Sequence, residues 1–494
     1  MARSSTMALQ AGQNFWRVEE AEQFAFIVDA DDYFRNVRKA MVAARHSIML
    51  VGWDFDARIT LGHPDDGGPA RLGDFIIWLA DRSPELEIRL LRWDTGAFKT
   101  MLRGNNLFTI LRWKAHPRIT LHLDRAHPLA SSHHQKMVAI DDCIAFCGGI
   151  DMTIQRWDTR DHRDDDPRRV GPDGKAHPPW HDLSSAFDGP AARAIGDLAR
   201  ARWKAATGET LPVCAHPHKC WPEGLQPTFT HLRLGISRTQ PLMEGVTPVH
   251  EIENVYLELI RSARRMVYLE SQYFASRKIA HAIAERLLEE DGPEFVIINP
   301  FTAEGWLEPL AMDTARARLM EALRRIDRYG RLRMYHPVTR NGGEIYVHAK
   351  VMVVDDIWLR VGSSNCNNRS MRLDTECDVI LSSAAPGCER LGEKITMLRN
   401  DLLAEHLGVS PETVGIRLSR TGSLIATVEQ LRGPGRSLVP YECPDLNGFE
   451  AWLADNEILD PNGPDEIFEP LSNRSLFKGW EALLRRFQRH NGKD

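Results

Sequence analysis

Hydrophobic positions along the chain change period in a fixed order, and that order occurs twice. Phe34, Val37, Met41 and Ala44 recur at helical spacing behind Asp29, Asp31 and Asp32, an acidic group suited to a helix N-terminus. Ser47 to Val51 then form a short apolar run of strand type. Shifted by 218 residues, Ile252, Val255 and Leu259 repeat the helical spacing after Thr247-Pro248, and Met266 to Leu269 repeat the strand. Two more strands match in the same order: Glu87–Leu91 with Glu294–Ile298, and Ile119–Leu123 with Arg331–Tyr335. A helix-rich interval separates the members of each series.

Each series closes on the same polar motif set into apolar sequence. His134-Gln-Lys136 leads to Asp141 and, after six further residues, to Gly148-Gly149; His348-Ala-Lys350 leads to Asp355 and, after six further residues, to Gly362-Ser363. The offset of the motifs is 214. Agreement in residue type, spacing and element order marks a duplication. Alternating strands and helices predict an α/β fold of two halves, each a mixed, mostly parallel sheet flanked by helices, with equivalent strand ends meeting at a pseudo-two-fold interface. The expected organisation is an N-terminal extension over 1–24, halves over 25–207 and 246–405, a linker over 208–245 and a helical and loop appendage over 406–494. Asp158–Pro179, rich in Pro, Gly and charge, reads as a loop inserted beside the first motif, and Asp188-Gly-Pro190 opens a helix with Ile195, Leu198 and Trp203 on its apolar side.

Alternate residues of a strand share a face, so His134 and Lys136 project together, as do His348 and Lys350. Placing imidazole and ammonium side by side in apolar sequence is costly without an anion, and a phosphate satisfies both lysines at once. Gly149, Ser363 and Asn365 fall where they can add phosphate contacts, Ser363 and Asn365 through side-chain donors. Asp158, 24 residues past His134, and Glu376, 28 past His348, are the carboxylates expected to orient the two rings. Asp141 and Asp355 lie seven residues from their His and face the other way on an unbroken strand, which gives them a structural place in the motif.

His-x-Lys-x4-Asp followed by Gly-Gly or Gly-Ser resembles the duplicated motif of the phospholipase D superfamily, over about residues 25 to 405. Gly148–Asp151, Arg156–Thr159, Pro179–Asp182, Glu270–Phe274, Gly362–Asn365 and Asn368–Ser370 resemble the phosphatidylcholine-hydrolysing type. The resemblance implies a two-step exchange at a phosphodiester, with His134 as nucleophile forming a phosphohistidine and His348 as general acid and then base. It implies that Lys136 and Lys350 neutralise the phosphate, that no metal or other cofactor is needed, and that the partners are a phospholipid and a water or alcohol acceptor. A cardiolipin-synthase-type phosphatidyltransferase is the alternative. A nuclease is disfavoured, because small nucleases of the group carry one motif per chain and tyrosyl-DNA phosphodiesterases lack the motif aspartate. A non-catalytic binding module is expected to have lost a motif His or Lys, and all four are present.

Composition adjusts this picture only at the margins. With 62 basic and 68 acidic residues the net charge is −6, so nucleic acid is not an expected partner and positive charge is expected to concentrate at the phosphate site. No apolar run reaches the ~18 residues of a membrane span, the N-terminal apolar core Met7-Ala8-Leu9 is too short for a secretory signal, and Ala2 excludes N-myristoylation. A cytoplasmic or peripheral membrane location is expected, with signal-less export also open; the oligomeric state is left open, the site being complete in one chain. Trp180 and Trp306 are placed in loops near the mouth, and the run Arg324 to Arg333 reads as a solvated face before it reads as a contact for anionic lipid. Eight cysteines are too few for a disulfide scaffold, and Cys214, His216, His218 and Cys220 are spaced unlike a common zinc site, so a Pro-broken loop is preferred there.

Overall fold

The computed structural model describes residues 8–62, 65–94, 106–128, 131–215, 218–303, 312–384 and 389–444. The first series folds as β1 (Arg17–Val28), α1 (Ala30–Val42), β2 (Ser47–Gly52), α2 (Leu72–Arg82), β3 (Glu87–Trp93), α3 (Asn106–Ala115), β4 (Ile119–Asp124), β5 (Met137–Ile140), β6 (Ile144–Gly148), β7 (Trp180–His181), β8 (Leu183–Asp188) and α4 (Gly189–Thr207). The second folds as β9 (Phe229–Gln240), β10 (Val249–His250), α5 (Glu251–Ser262), β11 (Met266–Glu270), α6 (Arg277–Leu287), β12 (Glu294–Ile298), α7 (Thr314–Ile326), β13 (Leu332–Val338), β14 (Tyr346–Val347), β15 (Val351–Val354), β16 (Trp358–Gly362), β17 (Glu376–Ser382) and α8 (Glu389–Leu407). The chain continues through α9 (Pro411–Thr421), α10 (Leu424–Leu431) and β18 (Ser437–Pro440).

The strands form one long sheet in the order β18-β13-β12-β11-β15-β16-β17-β9-β1-β8-β6-β5-β2-β3-β4. Apart from β18, which has no counterpart beside β4, the order reads the same from either side of the β9–β1 pair, which is what a duplicated fold requires. The sheet is mixed, as expected, but parallel pairing in it is confined to β2-β3-β4 and β11-β12-β13. The remaining ladders are antiparallel, and in two of them tight turns join the partners, β5 to β6 and β15 to β16. Asp141 and Asp142 (φ 48° and 54°) and Asp355 and Asp356 (φ 54° and 59°) make these turns. Two successive left-handed residues match the twist of the flanking strands. The Asp141 carboxylate accepts the N–H groups of Arg45, His46 and Ser47 at 2.6–2.9 Å, and Asp355 those of Arg264, Arg265 and Met266 at 2.6–2.9 Å. Each motif aspartate thus staples its hairpin to the start of the neighbouring parallel strand, at the far end from the motif histidine.

Two expected boundaries move. Strands β1 and β9, which join the halves, begin in segments that the sequence pattern assigns to the extension and the linker. The charged stretch Glu19-Glu20-Ala-Glu22 at the start of β1 hides its strand character. Residues 406–444, expected as an appendage, pack α9, α10 and β18 onto the second half, with β18 extending the sheet beside β13.

One face of the sheet is covered by α4 and α8 together, in a single apolar core. Helix α4 starts with Pro190 in its first turn and stops at Gly208, whose φ of 80° is a left-handed terminus. Its buried stripe of Ala191, Ile195, Leu198, Ala199 and Trp203 faces Phe187 and Leu183. At roughly 1.5–3 kcal/mol for each large side chain buried, Ile195, Leu198 and Trp203 hold the helix to the sheet. The opposite face carries α1 to α3 on one half and α5 to α7 on the other. Cys143, in the first hairpin turn, is joined by a disulfide to Cys220 across 77 residues, so the Cys220 thiol is not a free member of the loop group expected there. His216 and Trp306 lie outside the described residues. Much of the arginine run is taken up locally: Arg324 on Tyr441, Arg325 on Glu321, and Arg331 on the carbonyls of Glu289 and Glu290.

Candidate active site

The sheet order brings the two motif histidines from mirror-related positions to one place. His134 and His348 each precede a motif strand, and both rings experience the charges of Lys136 and Lys350. The Lys136 ammonium donates to the His134 carbonyl at 3.0 Å and pairs with Asp151 at 3.2 Å. Lys350 bonds the His348 carbonyl and lies 3.4 Å from Gln272 Oε1. Both lysines are almost fully buried.

The orienting carboxylates cross between the halves. His134 Nδ1 lies 2.9 Å from Glu376 Oε1, and His348 Nδ1 lies 2.6 Å from Asp182 Oδ2. Each ring keeps Nε2 for a substrate, with its tautomer fixed by the acid. Glu376, expected on His348 by its place in the chain, therefore serves the other half. Asp158, expected on His134, holds His162 at 2.9 Å, the Trp180 N–H at 2.9 Å and Arg169 at 3.3 Å, and reaches neither reacting ring. Asp182 belongs to the Pro179–Asp182 motif, and its place in the chain alone assigns it no role. The signal was present: Asp182 stands just before β8 and Glu376 opens β17, the equivalent strand. The loop 158–179 stretches one spacing and conceals the match.

The phosphate-contact residues also change places. Ser363 Oγ donates to Glu376, as does Ser370 Oγ at 2.7 Å from a π-helical turn over Arg369–Leu373. Ser363 thus supports the acid that supports His134. The Gly149 amide is committed to the Leu183 carbonyl at 2.8 Å, and a Cβ there would stand 2.2 Å from Asp182 Oδ1. That glycine makes room for the carboxylate instead of donating to a phosphate. Asn365 stays at the site, buried, with its Nδ2 3.4 Å from Gln272 Oε1.

Electrostatics follow from two ammonium groups in a nearly dry site. Burial, then Lys136 and Lys350, push His134 well below the ordinary imidazole range. Burial, then Lys350, Arg156 and Lys136, do the same to His348. Burial takes Lys350 down to about 7, with Lys136 adding to the effect and Asp182 opposing it. Burial drives Glu376 up to about 8 against the pull of Lys136 and the two serines. Excess positive charge of this kind is relieved by a bound monoanionic phosphodiester. Trp180 closes one wall: its ring lies 4.5 Å from Tyr346 and 5.2 Å from His348, and the Arg156 guanidinium sits 4.0 Å above it.

Among the described residues the metal-capable groups lie elsewhere: Asp29, His162, His181 and Glu405 cluster behind the site, with Glu270 and His406 beside them, and Cys143, His218 and Cys220 meet at the disulfide. Among the described residues no helix is long and apolar enough to cross a membrane.

Two family models match the chain, "Phospholipase D" over residues 40–221 and "Cardiolipin synthase, PLD-like domain" over residues 256–395. Phospholipase D1 of Saccharomyces cerevisiae is 25% identical over 501 residues, covering 79% of this chain and 29% of its own length. Phospholipase D A of Dictyostelium discoideum is 25% identical over 468 residues, with shares of 78% and 35%. Phospholipase D alpha 1 of Carica papaya is 23% identical over 523 residues, with shares of 77% and 64%. The chain thus spans about a third of the length of the first two relatives. The structure of phosphatidylserine synthase from Haemophilus influenzae Rd KW20 matches with a TM-score of 0.54 at 15% identity, covering 82% of this chain and 94% of that one. The last likeness is one of fold.

Proposed function

Since the chain belongs to the phospholipase D superfamily, we propose that it is a phosphodiesterase that removes the head group of a glycerophospholipid, phosphatidylcholine for choice, to give phosphatidic acid. The observation that carries this reading is the crossed pair of dyads, His134–Glu376 and His348–Asp182, around two buried lysines. His134 Nε2 attacks phosphorus while the bond to the head-group oxygen breaks, and His348 gives that oxygen its proton. Water, or another alcohol, then gives its proton to His348 and attacks phosphorus, and the P–N bond electrons return to His134. Lys136 and Lys350 stabilise the charge on the equatorial oxygens throughout. The depressed His134 supplies the neutral nucleophile, and the negative phosphate raises His348 toward the proton it must donate.

Access to lipid is peripheral in this reading. Phe108 and Leu111 on α3 are 67% and 55% exposed, and α3 starts at the end of the sheet where β4 delivers the chain toward His134. The cardiolipin-synthase-type alternative is favoured by the name of the model that matches residues 256–395. The test is incubation with phosphatidylcholine, phosphatidylglycerol or single-stranded DNA, with and without added alcohol. Choline release with phosphatidic acid is the expected result. Cardiolipin from phosphatidylglycerol would move the assignment to the alternative, and cut DNA would refute both.

A further inference from the structure

Behind the His348–Asp182 dyad lies a second, buried set of charged groups that takes no part in the exchange at phosphorus. It joins His162, His181 and His406 to Asp29, Asp158, Glu270 and Glu405. His181 is central: its Nε2 lies 2.9 Å from Glu270 Oε2, and its Nδ1 lies 3.0 Å from Glu405 Oε1 and 3.3 Å from Asp29 Oδ1. His162 bridges Asp158 at 2.9 Å and Glu405 at 3.1 Å, and His406 holds the other oxygen of Glu270 at 3.2 Å. Arg160 pairs with Glu405, Arg169 with Asp158, and Arg436 approaches Glu405 at 3.8 Å.

This set is tied to the dyad through the backbone. The Asp182 N–H donates to Asp29 Oδ1 at 3.0 Å, and the Asp29 N–H donates to the Asp182 carbonyl at 2.8 Å. Asp29 makes this reciprocal clasp at a φ of 63°, in the left-handed region that a non-glycine residue enters only when its surroundings hold it there. The His348 N–H donates to the His181 carbonyl at 2.8 Å. Both members of the dyad therefore take their register from His181 and Asp29. Glu405 and His406 come from α8, so the helix that follows the second half reaches the site through this set.

We infer that His181 is a positioning residue for the general acid–base dyad, fixed by Asp29, Glu270 and the Glu405 carboxylate of α8, so that α8 is part of the working site. Burial pushes His181 down, but Glu270 and Asp29 against it hold it well above the ordinary imidazole range. Burial favours the neutral acid at Glu405, and His162 and His181 overcome that and hold it well below the carboxylate range. Burial raises Asp182 above the ordinary carboxylate value, and Lys350, the Leu183 N–H, Arg156 and, least of these, the His181 charge act against it, toward the ionised carboxylate that His348 requires.

The inference rests on the role proposed for His348, and the test separates the two. The full chain carrying His181→Asn or Glu405→Gln is assayed on phosphatidylcholine and on phosphatidyl-p-nitrophenol, whose leaving group departs without a proton. On phosphatidylcholine kcat is expected to fall ~30-fold or more with KM within about threefold, because general-acid catalysis is worth that much. The p-nitrophenol burst rate is expected to stay within about threefold of wild type, and Met397→Ala, at an exposed position on α8, to match wild type on both esters. An equal loss on both esters, or no loss in a folded variant, would overturn the positioning role. If His181→Asn does not fold, His406→Gln is expected to give the same contrast more weakly, and an equal loss there overturns it too. A wild-type enzyme that cleaves neither ester removes the assignment to His348 itself. Metal analysis of the wild-type chain provides a further check: one equivalent of transition metal, lost in His181→Asn, would make the cluster a metal site and refute the ionic network.

Discussion

His134 and His348 each place Nδ1 on a carboxylate from the opposite half, yet the two carboxylates are supported by different means. Glu376 receives the hydroxyls of Ser363 and Ser370 and is pushed up to about 8 by burial. The Asp182 carboxylate accepts the Leu183 N–H, its main chain donates to Asp29 Oδ1 and accepts the Asp29 N–H, and the residue is backed by the buried ionic network. His134 is the more open ring, with 16% of its side chain exposed against 6% for His348. His348 is walled by Trp180 and tied by its amide to His181. The two equivalent dyads of the duplicated fold thus differ, the first more exposed and supported by hydroxyls, the second more enclosed and tied to the main chain. A nucleophile that is alternately bonded to and released from phosphorus fits the first, and a proton carrier of fixed position fits the second.

The largest effect that tests this contrast is removal of either ring. His134→Ala and His348→Ala are each expected to lower kcat at least ~10³-fold with melting temperature nearly unchanged. A variant of either that keeps a tenth of wild-type turnover would show that the site is not shared. Next in size are the supporting acids. Asp182→Asn and Glu376→Gln are expected to cost about 10²-fold each, and Asp158→Asn much less, because Asp158 touches neither reacting ring. A larger loss from Asp158→Asn than from Asp182→Asn would reverse the crossed pairing.

That last comparison also marks how far the sequence could be read. The duplication, the α/β class and the four His and Lys positions follow from periodicity and motif spacing, because a buried strand and a His-x-Lys pair are local features. The crossing of Glu376 and Asp182 is not local. It depends on β1 and β9 pairing at the centre of the sheet; β1 opens on the charged run Glu19-Glu20-Ala-Glu22, and β9 interleaves its apolar positions with His231, Arg233, Gly235, Ser237 and Arg238, so neither announces itself. Ser363 and Gly149 sit at the right positions for phosphate contacts, but the neighbours that claim the Ser363 hydroxyl and the Gly149 amide come from β17 and β8. The role of α8 is likewise invisible in sequence, since Glu405 and His406 find their partners only across the fold.

The pH profile offers a subtler contrast. kcat/KM is expected to fall on the alkaline side as Lys350 loses its proton at about 7, and on the acid side only below the ordinary imidazole range, where His134 becomes charged. Lys350→Arg, which cannot lose its charge, is expected to carry the alkaline limb upward even as the maximal rate drops. An unmoved limb would assign it to another group.

The smallest effect is on stability. Glu376 is raised from 4.5 to about 8 in the folded chain, so the folded state binds a proton that the unfolded chain releases. Its contribution is full below the unfolded value and is lost as pH rises through the folded one. Glu376→Gln abolishes that loss. It is expected to melt at least about 2 °C above wild type near pH 9, with the difference vanishing near pH 5. A variant that melts lower at both values would mean that the carboxylate is ionised and well paired in the fold.

The division of labour between the two rings is tested most directly by trapping the covalent intermediate. Wild-type enzyme is quenched within the first turnover on radiolabelled phospholipid, digested under alkaline conditions that preserve phosphohistidine, and the labelled peptide is sequenced. Label at His134, absent in His134→Ala and accumulating in a His348 variant supplied with a p-nitrophenyl ester, is the expected result. Label at His348 would exchange the two roles, and a first turnover with no labelled histidine would contradict the covalent mechanism altogether.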